Sequence, residues 1–268
     1  MSRHENRFLF LGDEPVLRVL GRSLLLTVCL GACQAGAPDA GGVRAVSVGE
    51  SRLEMVYVPA GEFIMGSWKG WPDERPAHRV RITQGFWLGR TEVTQGLWRT
   101  VMGNNPADFA KGADFPVEQV GWSDCQAFIS RLNRLTGMVF RLPSEAEWEY
   151  ACRAGSTEDR PADLDAVAWH EGNSDQSTHG VGRKRANAFG FHDMLGNVWE
   201  WCADGYDPAF YSRSPGEDPL APPSGPHRVD RGGAWGYGPD IVRYSRRDGS
   251  GAEYRVNLIG LRLAASRL

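Results

Sequence analysis

Sulfur is scarce in this chain of 268 residues: it carries five cysteines, and none follows Cys202. The C-terminal part can therefore offer no thiolate to a soft metal ion. At this length a hydrophobic core needs no disulfide or metal staples. The histidines His78, His170, His179, His192 and His227 are scattered, and neither H-x-x-x-H nor H-E-x-x-H occurs. Zinc signatures need paired ligands, so a zinc hydrolase is not indicated. There is no G-x-S-x-G elbow and no phosphate-cradling glycine loop. Carboxylates are plentiful, but no pair stands out as general acid and base. Basic blocks are missing and the formal net charge is -3. Nucleic acid and acidic membrane surfaces are thereby excluded as partners. The one apolar run near the N-terminus, Leu24 to Ala32, is too short to span a bilayer.

That run is better explained as a targeting segment. Arg18 and Arg22 precede it, and it ends Leu30-Gly31-Ala32-Cys33. The ending resembles a bacterial lipobox, in which the cysteine is lipidated and becomes the first residue. Residues 1–33 are accordingly expected to be a signal peptide with lipidation at Cys33, and 34–50, rich in Ala and Gly, a flexible tether. Gln34 follows the cysteine, and no Asp stands there to retain the product at an inner membrane. The expected location is extracytoplasmic, anchored by lipid to the bacterial membrane, on the periplasmic or surface side of the outer membrane. Residues 51–268 form the expected domain, without an internal repeat. Cys125, Cys152 and Cys202 remain in it, an odd number whose pairing the sequence leaves open.

What the chain has in quantity is glycine, 33 residues, and tryptophan, 10. This pairing suggests a loop-rich fold pinned by large aromatic side chains. Leu53 to Pro59 alternates like a strand, and Ala60-Gly61-Glu62 is expected to turn it back into Phe63 to Gly66 as a hairpin. His78 to Thr83 is another strand candidate. Thr94 can cap a helix that places Leu97, Trp98, Val101 and Met102 on one face and stops at Gly103. Ser123 with Gln126, and Ser144 with Glu147, have the spacing of capping boxes. The first opens a helix with Phe128, Leu132 and Leu135 in register; the second opens one running to Cys152. Gly205 to Pro226 reads as a long loop. The fold class is α+β with much irregular structure.

Seven motifs then occur in a fixed order. They are Val58-Pro59-Ala60-Gly61 with Met65-Gly66-Ser67; Thr91-Glu92-Val93-Thr94; Pro116 to Trp122; Arg141-Leu142-Pro143-Ser144-Glu145-Ala146-Glu147-Trp148-Glu149; Gly196-Asn197-Val198-Trp199-Glu200-Trp201; Arg231-Gly232-Gly233-Ala234-Trp235; and Gly260-Leu261-Arg262-Leu263-Ala264. Together they resemble the formylglycine-generating-enzyme, or sulfatase-modifying-factor, family over Leu53 to Ala264. The resemblance implies a C-type-lectin-like α+β fold with little regular secondary structure. It also implies a structural calcium ion held by the side chains of Asp193 and Glu200 and the carbonyls of Gly196 and Val198. Such hard oxygens suit that ion. The alternative is a metal-free turn in which Glu200 caps backbone amides.

The family enzymes oxidise a substrate cysteine with two cysteines that hold Cu(I), a few residues beyond the Arg-Gly-Gly motif. Here that stretch reads Trp235 to Arg243 and has no cysteine. No copper is therefore expected, and formylglycine formation by the family's mechanism is not. The segment from Trp235 to Arg247 offers a ligand cleft of Trp235, Tyr237, Arg243 and Arg246, side chains that favour recognition. The competing reading makes Trp235 core and leaves the arginines solvated or paired with nearby carboxylates. Three functions stay open. One is an exported tailoring enzyme or paralogue without copper, as in a cysteine-lacking relative of siderophore maturation. Another is a lectin-like module binding a peptide, protein or small molecule. The last is formylglycine generation by a non-standard route. The membrane is a partner only through the lipid anchor.

Overall fold

Along β2 (Ser51–Val58) Leu53 and Met55 are buried against one hydrophobic core, and Val56 and Val58 against another. Alternate side chains of a strand leave on opposite faces, so this strand is covered on both. Its partners are β1 (Val43–Val48) on one side and β5 (Phe86–Gly89) on the other, both antiparallel. The sheet continues through β11 (Ala264–Ala265) to β6 (Phe140–Arg141), giving the order β1-β2-β5-β11-β6. The computed structural model describes residues 42–268. The leader, Cys33 and the first part of the expected tether lie outside them. From Val43 the expected tether is strand β1, because its backbone pairs with β2 from Val43↔Val56 to Val48↔Ser51.

The hairpin expected from Leu53 to Gly66 does not form. Both edges of β2 are occupied, so β3 (Gly61–Met65) pairs with β4 (His78–Ile82) as a separate ribbon. A third sheet joins β7 (Trp199–Gly205), β8 (His227–Arg231), β9 (Arg247–Gly251) and β10 (Ile259–Leu261) in the order β10-β7-β8-β9, with only β10 and β7 parallel.

Three α-helices cover the faces. In α1 (Gln95–Met102) the Thr94 hydroxyl accepts the Leu97 amide at 3.2 Å, and Gly103 closes the helix at φ 83°. Helix α2 (Trp122–Thr136) starts earlier than expected: Gly121 is its cap, and the Asp124 carboxylate accepts the Gly121 amide at 2.9 Å. Ser123 instead pairs with Glu253. Cys125, Phe128, Ile129 and Leu132 form the buried stripe, while Leu135 is 63% exposed. Trp98 of α1 stacks on Phe128 of α2 with ring centroids 4.9 Å apart. Helix α3 (Glu145–Arg153) has the expected box: Ser144 accepts the Glu147 amide and Glu147 accepts the Ser144 amide.

Helix α3 is attached to the third sheet by buried charge. Arg247 of β9 reaches Glu145 with Nε at 2.7 Å and Nη2 at 2.8 Å. Arg231 of β8 pairs with Glu149, which also takes Arg153 at 2.8 Å. The Arg231 guanidinium lies 5.1 Å from the Trp148 ring centroid. Removing one partner from such a network strands the other charge away from water, which costs far more than an exposed pair is worth. Arg231→Ala is therefore expected to lose about 3–5 kcal/mol of stability in urea unfolding. A loss below about 1 kcal/mol, the range of an exposed pair, would show that water reaches this network.

Candidate functional site

Between α3 and β7 the chain runs from Ala154 to Val198 without a strand or α-helix. Side chains replace the missing ladder. Asn187 donates to the carbonyls of Ala151 and Cys152 at 2.8 and 3.1 Å. Asn197 donates to Glu92 Oε1 at 2.9 Å, and its Oδ1 accepts the His179 amide at 3.0 Å. Gly196 has φ 75°, and a Cβ there would stand 2.1 Å from the Trp169 carbonyl oxygen. Only glycine fits this turn.

The turn delivers Asp193 and Glu200 to a buried cluster that also holds Glu92 and Arg262. Arg262 binds Glu200 through Nη2 at 2.7 Å and Nε at 2.9 Å, and also donates to the carbonyls of Gly89 and His192. Trp148 Nε1 donates to Glu200 Oε2 at 2.7 Å. Asp193 Oδ2 accepts the Gly182 amide at 2.6 Å. Asp193 Oδ1 and Glu92 Oε2 are buried without any partner. Burial, and for Glu92 the charge of Asp193, push both carboxyls above the ordinary carboxylate range.

Three buried carboxylates thus face one guanidinium. That imbalance suits a hard divalent cation. Of the four residues implied by resemblance, Asp193 keeps an unmatched oxygen and Glu200 is already balanced by Arg262. Among the described residues no three His, Cys, Asp or Glu side chains converge as a metal site. Any ion here would have to draw on backbone carbonyls, such as those of Gly196 and Val198. The sequence reading missed Glu92 and Arg262, although both stand inside quoted motifs. Charged residues flanked by buried Val93, Leu261 and Leu263 were the available signal.

The stretch after the Arg-Gly-Gly motif divides its four expected cleft residues into two pairs with different neighbours. Trp235 is half-buried; its Nε1 donates to the Asn257 carbonyl at 2.9 Å, and Phe109 meets its ring edge-on. Tyr237 packs edge-on against Trp199 with centroids 5.8 Å apart. Arg243 is bound to Glu74 by Nη2 at 2.7 Å and Nη1 at 3.0 Å. Burial alone would raise the Glu74 carboxyl, but the bonds from Arg243 and Ser245 outweigh it and hold the group low. Arg246 lies with its guanidinium carbon 4.2 Å from the Trp71 ring centroid and Nη2 3.3 Å from Asp248. Ion pairing therefore accounts for Arg243, as the competing reading held. The loop residues Trp71, Asp73 and Glu74, which meet both arginines, carried no signal in sequence order.

The three cysteines of the described domain are buried, free thiols. Cys125 lies in the core beside α1 and α2, Cys152 and Cys202 in the core beside α3. Burial pushes all three thiols upward, so they stay protonated.

One further carboxylate belongs to this wall. Asp230 of β8 stands opposite Asp248 of β9, is fully buried, and has an unpartnered Oδ2. Burial, then the Asp248 charge, push it up to about 7. An acid raised in the folded state takes up a proton on folding between its unfolded and folded values. Stability is then lost as pH rises from about 4 to about 7. Asp230→Asn removes that loss. Its melting temperature is expected to exceed that of the parent by ~3 °C or more at pH 8, with the difference shrinking or reversing at pH 4. A pH-independent difference would mean that Asp230 titrates normally.

The family model for the sulfatase-modifying factor enzyme 1-like domain matches residues 44–267. The formylglycine-generating enzyme of Streptomyces coelicolor is 36% identical over 167 residues, 56% of this chain and 50% of that enzyme. Among solved structures, Treponema denticola variable protein 1 superposes with a TM-score of 0.77 at 28% identity, covering 84% of this chain and 99% of that one. PvdO from Pseudomonas aeruginosa gives 0.75 at 29%, covering 85% and 99%. The chain spans 35% to 50% of the length of curated relatives such as the Streptomyces enzyme. A match over nearly every described residue, carried by both sequence and fold, means that this chain belongs to the sulfatase-modifying-factor, or formylglycine-generating-enzyme, family.

Proposed function

We propose that this chain is an exported, lipid-anchored family member that does not make formylglycine by copper–thiolate chemistry and uses the wall from Trp235 to Asp248 to bind a ligand. The observation that carries this is the placement of sulfur. Cu(I) needs soft, ionisable thiolates, whereas every thiol of the described domain is buried, protonated and in the core. The wall itself offers indole, phenol, guanidinium and carboxylate groups. Those groups recognise ligands through area and directed hydrogen bonds. A tailoring enzyme without copper is the second reading. It is favoured by Asp230, whose carboxyl burial pushes up to about 7. Export rests on the leader and on Cys33.

One preparation tests the first reading. The full chain is produced in a bacterial host fed an alkyne-tagged fatty acid, alongside Cys33→Ser. The tag is expected on the parent and not on the variant. The purified parent, given Cu(I), oxygen and a sulfatase-derived cysteine peptide, is expected to yield no aldehyde by hydrazide capture. An aldehyde, or a tag that survives Cys33→Ser, overturns the proposal.

Calcium is proposed at the buried acid cluster. Asp193 and the carbonyls of Gly196 and Val198 would hold it, Glu200 would be shared with Arg262, and Glu92 would add charge. The bound ion would stabilise the turn. Binding only to the folded state raises the melting temperature by mass action. Melts in excess calcium are expected to lie above melts in excess EGTA by ~5 °C or more, and coincident melts would remove the ion from the account.

A further inference from the structure

Beside the third sheet lies an open groove of about 360 Å³ whose apolar lining includes Trp71, Pro72, Tyr206 and Pro208. Its polar end is made by Arg246, Asp73 and Asp248. We propose that this groove is a carbohydrate subsite, taking one pyranose unit of a glycan against the exposed part of Trp71. The proposal rests on the ligand-binding reading above and names the ligand class.

The polar end is built and fixed. Arg246 is 5% exposed. Its guanidinium is sandwiched against Trp71, with Asp248 Oδ2 at 3.3 Å and Asp73 Oδ2 at 3.7 Å. Tyr206 donates its hydroxyl to Asp73 Oδ2 at 2.9 Å, which holds that carboxylate in place. One polar atom of the groove's lining has no partner: Arg246 Nε, a donor. Asp248 of β9 lines the groove and is opposed on β8 by the buried Asp230. Buried polar groups are normally satisfied.

The chemistry of what could satisfy them narrows the ligand. An anion would answer Arg246 Nε but meet Asp73 and Asp248. A cation would suit the carboxylates but meet Arg246, which already covers one face of Trp71. A hydroxyl accepts from a guanidinium and donates to a carboxylate through the same oxygen. A peptide unit also carries both functions, but its N–H and C=O point in opposite directions, whereas the guanidinium of Arg246 and the carboxylate of Asp248 stand side by side at 3.3 Å. Trp71, 49% exposed, and the two prolines offer a flat apolar surface for the C–H face of a sugar ring.

The test uses saturation-transfer NMR on the full chain with maltohexaose, xylohexaose and N-acetylchitotetraose as probes. At least one is expected to bind, with saturation reaching ring C–H protons. Trp71→Ala and Arg246→Gln are expected to weaken it tenfold or more. Trp68→Ala changes an exposed tryptophan that lines a different groove and is expected to bind as the parent does. If Arg246→Gln does not fold, Trp71→Ala decides, because its side chain is half exposed. Binding by none of the three saccharides overturns the proposal. So does unchanged binding by Trp71→Ala, or displacement of the saccharide by triglycine, which would reassign the groove to a peptide. Failure here, with the aldehyde assay still blank, sinks the ligand class alone; an aldehyde in that assay sinks the broader reading whatever the sugars do.

Discussion

Buried guanidinium–carboxylate pairing is the constraint on which this fold depends. With few helices and short strands, backbone ladders cannot connect the parts of the chain that meet in the interior. Arginines do it instead. Arg262, fully buried, ties Glu200 of β7 to the carbonyls of Gly89 and His192. Arg231 and Arg247 tie the third sheet to α3 through Glu149 and Glu145. Each guanidinium presents a planar fork of donors, so one side chain can satisfy a carboxylate and several loop carbonyls at once. A lysine in its place would offer a point charge and lose that geometry.

The same constraint decides what is available for function. An arginine committed to a buried carboxylate cannot serve a ligand without stranding its partner. Arg243 is committed in this way to Glu74, and Arg231 and Arg247 to α3. Arg246 differs in its ion pairs: its nearest carboxylate contacts are longer, at 3.3 and 3.7 Å, while its Nε, like that of Arg231, is without a hydrogen-bond partner. Among the arginines of the C-terminal wall it is the one with bonding capacity left. The acid cluster is the mirror case, where carboxylates outnumber the guanidinium and two oxygens go unmatched.

Helix ends were legible in the sequence wherever a side chain makes the cap. Thr94 and Ser144 both behave as their spacing implies, because an N-cap is a local interaction between near neighbours. The start of α2 was not, since its cap is a glycine backbone and the helpful carboxylate, Asp124, sits beside the Ser123 that drew attention. The pairing of β3 was also hidden. Nothing local says that β2 has both edges filled by β1 and by β5, and the latter is brought there by chain far downstream. The family fold was readable because seven motifs keep their order, and they hold turn glycines such as Gly66, Gly196, Gly232 and Gly233, buried charges such as Glu92, Glu145, Arg231 and Arg262, and the core tryptophans Trp148, Trp199 and Trp201.

The site was less legible for a related reason. Sequence order lists Trp235 to Arg247 as one wall, but side chains two residues apart on a loop can face different partners. What completes the wall comes from elsewhere: Trp71 and Asp73 from the turn after β3, Tyr206 from the end of β7, and Asp230 from β8. None of these lies near the Arg-Gly-Gly landmark except Asp230, which immediately precedes it. That residue is a carboxylate placed opposite another carboxylate across two strands, an arrangement that costs stability by like-charge repulsion and burial. That cost falls when Asp230 carries a proton, which is the direction in which burial and the charge of Asp248 drive it.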